Sequence, residues 1–118
     1  MEVETTDALP KVDAHLHLTR WWPNIEGTGY RRGLDFTVRG LVHEMDENGV
    51  DYGILIQSND APNTRDGLVE ARESVRESAG RFRLVSTVDP TATDPSVEEM
   101  LRLWDGVPEL NGIKLFPG

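Results

Sequence analysis

Four short apolar runs punctuate the chain, and between them apolar residues return every third or fourth position. The runs are "KVDAHLHL" at 11–18, "VDYGILIQS" at 50–58, "RFRLVSTVD" at 81–89 and "NGIKLFPG" at 111–118. Each is short, rich in β-branched or aliphatic residues and bounded by polar or turn residues, the pattern of a strand. The first intervening segment predicts a helix over 37–48, with Val38, Leu41, Val42 and Met45 on one face and Asn48-Gly49 as its left-handed stop. A second helix fits 64–79, its inner stripe Leu68, Ala71, Arg72, Val75 and Ala79, with Gly80 as the stop. A third is expected to start at Asp94 as N-cap with Pro95 in the first helical position, and its stripe is Val97, Met100, Leu101 and Trp104. Residues 1–10 read as a flexible lead-in. The stretch "TRWWPNIEGTGYRRGLDF" at 19–36 has no period and reads as a long loop, which in compact domains is usually functional or disordered.

The order βαβαβαβ with apolar strands specifies an α/β fold, a parallel sheet with helical crossovers, over residues 11–118. Two architectures fit: an open parallel sheet flanked by helices, or the first half of a (β/α)8 barrel. The open dinucleotide-binding sheet requires a glycine-rich turn after its first strand, and here that strand runs into His17-Leu18-Thr19-Arg20. The barrel is therefore the favoured reading.

Composition narrows the function classes. With 12 Lys plus Arg against 21 Asp plus Glu, the chain carries a net charge of −9, which repels phosphate backbones and argues against a nucleic-acid partner. The absence of cysteine removes disulfides and thiolate metal sites, leaving His and carboxylate as ligands. The acidic opening "MEVETTDALP" lacks the apolar stretch of a signal peptide, and "ILI" at 54–56 is the longest purely aliphatic run, so neither export nor a membrane is expected and the cytoplasm is the default compartment.

The candidate chemistry lies in the first strand. Two of the chain's three histidines, His15 and His17, fall one residue apart, with Asp13 in phase before them. Alternation puts side chains two positions apart on one face, their Cα atoms about 6.6 Å apart, a spacing from which two imidazoles converge on one cation. They sit at the C-terminal end of the strand, where barrel active sites lie. Asp13, one step deeper, is placed to orient an imidazole through its second nitrogen. Above them, the loop residues Arg20, Trp21 and Trp22, with Arg31 and Arg32, could grip a substrate carboxylate, or form an ordinary solvated loop. His43 falls on the polar side of its helix and reads as a surface residue. Asp89-Pro90 either brings a carboxylate to the mouth or simply ends the third strand.

These segments resemble, in order, the opening half of the amidohydrolase superfamily, in its amidohydrolase-related (amidohydrolase 2) branch of hydrolases and decarboxylases. "VDAHLHL" is similar to that branch's first strand, "HEMDENGVDYGILIQS" to its first helix and second strand, "GRFRLVSTVDP" to its third strand and "NGIKLFPG" to its fourth. The resemblance implies a (β/α)8 barrel, His15 and His17 as ligands of a divalent metal, zinc or manganese, and a small carboxylated substrate such as a lactone, an amide or an aromatic acid. Some members of the branch work without the metal. Many binuclear members carry a carboxylated, metal-bridging lysine on the fourth strand. Lys114 stands on that strand, but Leu115, Phe116 and Pro117 follow it, with Phe116 where the branch often has His. Lys114 is thus a candidate catalytic or substrate-contacting group, or an inward lysine paired with a carboxylate such as Asp13.

A full barrel needs about 250 residues, and four strands supply half of one. The first and fourth strands would present open edges that favour association. The isolated 118 residues are expected to be inactive or to associate, as the N-terminal half of a longer or assembled enzyme. Rival readings are a TatD-type metal-dependent deoxyribonuclease, disfavoured by "GIKLF" where those proteins place a glutamate, and a non-catalytic half-barrel interaction module.

Overall fold

A computed structural model describes residues 9–21 and 35–115. Strands β1 (Val12–Leu16), β2 (Tyr52–Ile56), β3 (Phe82–Val88) and β4 (Leu110–Leu115) alternate with helices α1 (Val38–Glu47), α2 (Thr64–Glu77) and α3 (Val97–Asp105). The strands form one parallel sheet in the order β1-β2-β3-β4. Sequential order is what distinguishes a singly wound barrel wall from a doubly wound sheet, whose order reverses at a switch point.

The helices gather on one face. Leu55 of β2 and Phe82, Leu84 and Val88 of β3 share a buried cluster with Val38 and Met45 of α1, Leu68, Ala71 and Val75 of α2, and Met100 and Trp104 of α3. The opposite face carries Tyr52 and Arg83, stacked with the guanidinium 4.9 Å from the ring centroid, and has no helical cover among the described residues. One covered face and one open face are the expected state of half a barrel wall, whose open side becomes the packed interior on closure.

Local chemistry sets the helix ends. Thr37 caps α1 by accepting the Gly40 N–H, and Asn63 caps α2 by accepting that of Asp66. Gly49 (φ 67°) and Gly80 (φ 87°) turn the chain in the left-handed conformation after α1 and α2, as the sequence predicts. Ala79, expected on the inner stripe of α2, is exposed and itself left-handed (φ 52°). Arg72, from the same stripe, reaches sideways to Glu109, which also takes Arg76.

The third helix differs from expectation at both ends of the argument. Ser96, not Asp94, caps it, accepting the Glu99 N–H, because the Asp94 carboxylate is drawn 2.6 Å from Arg65 of α2. Leu101, placed on the inner stripe by spacing, is exposed: Val97, Met100 and Trp104 already fill the arc that meets the sheet.

Candidate functional site

Leu16 packs against the helix-side core, so its neighbours His15 and His17 face the open side of the sheet, at the C-terminal exit of β1. Their rings meet edge to face, with centroids 4.7 Å apart and the two Nε2 atoms 2.8 Å apart. The pair sought from the D-x-H-x-H spacing is thus brought together through the same ring nitrogen of each residue.

Ile56 fixes the tautomer. His17 Nδ1 lies 3.1 Å from the Ile56 carbonyl at the end of β2, and only a protonated Nδ1 can bond there, which leaves the lone pair on Nε2. The His15 Nε2–H then donates to it. Burial is the main force lowering the His17 pKa below 6.5; the Ile56 carbonyl acts against it, His15 and Lys114 act with it, and Asp60 opposes. His17 is thereby biased towards the neutral, ligating form.

The geometry accommodates a divalent ion. With metal–nitrogen bonds of about 2.1 Å, nitrogens 2.8 Å apart subtend roughly 84°, and opening them to about 3.4 Å gives the tetrahedral angle. Small ring rotations cover that difference. The carbonyl bonded to His17 Nδ1 is the kind of partner that orients metal-bound imidazoles. Among the described residues, no third His, Cys, Asp or Glu completes a ligand group, so the fit extends to two donors.

The remaining candidates take varied positions. The Asp13 carboxylate accepts the backbone N–H of its near neighbour His15 at 3.0 Å and not an imidazole proton. The β1–β2 register shifts between Asp13 and Leu16, which interrupts the two-residue alternation that put Asp13 in phase with the histidines. The orienting group is instead the Ile56 carbonyl. Arg20 is tied away from the histidines: its backbone N–H donates to Glu70 of α2 at 3.0 Å, its guanidinium lies 3.7 Å from the same carboxylate, and it stacks over Trp21. Trp21 is half-buried, its N–H on the Thr19 hydroxyl. Trp22, Arg31 and Arg32 lie outside the described residues. His43 is exposed and pairs with Glu47 on the surface of α1.

Lys114 stands opposite Thr87 in the β3–β4 register, half-buried, and His17 feels its charge. Asp13 is on the far strand of the same sheet, so the pairing of these two residues considered from sequence is not made within it. Asp60 belongs to no motif of the sequence. It follows β2 at the same rim, and its backbone N–H and carboxylate both engage the buried Ser58 hydroxyl. Its signal is topological: in a parallel sheet every strand's exit opens on one rim, so "SND" after the second strand shares the rim of the histidines that end the first. Asp89 also reaches this rim. Thr91 donates its hydroxyl and N–H to the Asp89 carboxylate, holding its pKa below the usual value. Asp89 lines a cavity of about 280 Å³ between the β2 and β3 exits, with Ser58, Asn59, Asn63 and Asp94.

No model of a known protein family matches this sequence, and no curated protein matches it. Among solved structures, the chain is similar to a probable 2-pyrone-4,6-dicarboxylic acid hydrolase from Acinetobacter baumannii with citric acid bound, with a TM-score of 0.56 and 16% identity over 89% of this chain. The chain spans 37% of the length of that protein. At that identity the likeness establishes the fold: a parallel βαβαβαβ half of a (β/α)8 barrel. No helix among the described residues is long and apolar enough to cross a membrane.

Proposed function

We propose that this chain supplies the N-terminal half of a metal-dependent hydrolase site for a small carboxylated substrate, such as a lactone. The observation carrying the reading is the His15–His17 pair, with Nε2 atoms 2.8 Å apart at a barrel-mouth position and one tautomer set by Ile56. His15 and His17 would hold a zinc or manganese ion. The chemistry such an ion supplies when bound is Lewis acidity, which makes water a nucleophile near neutral pH and draws charge from a carbonyl. Lys114, on the open face of β4, supplies a positive charge whose field reaches His17, suited to a substrate carboxylate. Asp60, anchored on Ser58, is the carboxylate whose field reaches His17, and we assign it the proton-accepting role. The likeness to a probable dicarboxylic acid hydrolase supports this substrate class.

The test is binding, because it does not require a closed barrel. Zinc-loaded protein is titrated calorimetrically with 2-pyrone-4,6-dicarboxylate and with an uncarboxylated pyrone. Tighter binding of the dicarboxylate, weakened about tenfold in Lys114→Met, is expected. Equal affinity for the two pyrones, or no effect of Lys114→Met, would contradict the assignment. In the assembled barrel, His17→Ala is expected to abolish lactone turnover.

A further inference from the structure

We propose that the cavity between the β2 and β3 exits binds a neutral polyol. Its walls come from the β2–α2 loop, from Ser58 to Thr64, and the β3–α3 loop, from Asp89 to Pro95. Both loops lie inside the chain, each with its strand and its helix in place. Arg65, in the first turn of α2, fastens them together, its guanidinium 2.6 Å from Asp94 and 3.1 Å from Glu99. The cavity, about 280 Å³, has the volume of roughly nine waters, room for a six-membered ring with its substituents. Neither His15, His17 nor Lys114 lines it, so the proposal is independent of the metal reading.

Hydrogen-bonding capacity selects the ligand. Most polar groups of the lining are already committed. The Ser58 hydroxyl donates to the Asp60 carboxylate and accepts the Asp60 N–H. The Asn63 side chain accepts the Asp66 N–H and donates to the Asp66 carboxylate, and the Thr64 hydroxyl donates to the Met100 sulfur. Asp94 is paired with Arg65. Asn59 and Asp89 keep capacity. Asn59 Oδ1 accepts the hydroxyl of the buried Thr87, which fixes the carboxamide and leaves Nδ2 with no acceptor among the described residues. Asp89 receives the Thr91 N–H and hydroxyl on Oδ1 alone, so Oδ2 stays open on a carboxylate that those two bonds keep ionised. The cavity thus offers a neutral donor and an anionic acceptor. A carboxylate ligand only accepts, and it meets the charge of Asp89. An ammonium ligand only donates, and it leaves the Asn59 amide unmet. A hydroxyl accepts from Asn59 and donates to Asp89, the second bond being charge-assisted. Ala61, Pro62 and Ala92 give the C–H face of such a ring an apolar wall.

The experiment is an NMR titration of the isotope-labelled 118-residue chain with myo-inositol, cyclohexanecarboxylate and cyclohexylammonium, rings of one size and different polarity. The Asn59 side-chain amide signal is identified by its loss in Asn59→Asp. Inositol is expected to shift it saturably, together with the Ala61 and Ala92 backbone amides, with a Kd of about 1–10 mM. The two charged rings should leave these signals in place at the same concentrations. Asn59→Asp and Asp89→Asn are nearly isosteric and keep the acceptors that Thr87 and Thr91 use, and circular dichroism confirms that both variants fold. Each should weaken inositol binding, read on the Ala61 and Ala92 amides, by about threefold or more. No saturable shift by inositol, an equal shift by either charged ring, or a smaller loss in either variant would overturn the proposal.

Discussion

Ser86→Ala removes one oxygen from the centre of the buried network that holds the β2 and β3 exits to α2 and α3. The Ser86 hydroxyl, fully buried, donates to Gln57 Oε1 at 2.6 Å and accepts the Trp104 indole N–H at 2.8 Å. Gln57 in turn donates to the Thr64 carbonyl at 2.7 Å, and its Oε1 also accepts the Thr87 N–H. No buried side-chain polar atom among the described residues lacks a partner. Alanine at position 86 leaves the indole N–H buried and unpaired, which costs about 1–3 kcal/mol, and loses a Gln57 bond worth about 1 kcal/mol. The total, about 2–4 kcal/mol, corresponds to a fall in Tm of roughly 10 °C for a domain of this size. Urea unfolding at neutral pH, followed by circular dichroism, measures it. The double variant with Trp104→Phe removes the orphaned donor too, so its cost should fall short of the summed single costs by about 1 kcal/mol. A Ser86→Ala loss below about 0.5 kcal/mol, or strict additivity in the cycle, would refute this account of the network.

Gly67→Ala would place a Cβ 2.8 Å from Gln57 Nε2 and 3.0 Å from the Ser58 carbonyl; we expect a loss of about 1–3 kcal/mol by urea unfolding, and a neutral substitution would refute the close packing of α2 on this rim. Met100→Ala, at a fully buried position of α3, should cost about 2–5 kcal/mol in the same assay. His17 gives a pH signature: the unfolded chain binds its proton near 6.5, whereas burial, with His15 and Lys114, delays protonation in the folded state. Stability should therefore be full above that value and decline as pH falls from it towards the lowered folded pKa, a slope that His17→Gln should flatten. The Asp35 and Asp89 carboxylates, held below their usual range by Thr37 and Thr91, contribute a separate loss at more acid pH that His17→Gln should leave intact.

Much of the wall was legible because burial imposes period and length on its parts. The apolar runs located all four strands, and Asn48-Gly49 and Gly80 marked helix stops at which Gly49 and Gly80 are left-handed. The start of α3 was displaced because local capping preference cannot foresee Arg65, 29 positions away from Asp94, competing for its carboxylate. Leu101 shows the same limit, since spacing gives a stripe but not how wide an arc the sheet will cover. At the site, alternation brought His15 and His17 to one face, but a register shift is invisible to alternation, and it separated Asp13 from them. The group that orients His17 is a backbone carbonyl, which every residue has and no motif marks. Arg20 engages Glu70, fifty positions along the chain, a pairing set by packing alone.

Cobalt titration of the apo protein probes the histidine pair most directly, because cobalt reports its ligands through visible absorption. The account predicts one ion per chain, with an absorption band lost in both His15→Ala and His17→Ala while the far-ultraviolet spectrum of each variant is preserved. Uptake of cobalt unchanged in the double histidine variant, or none by the wild-type chain, would contradict it.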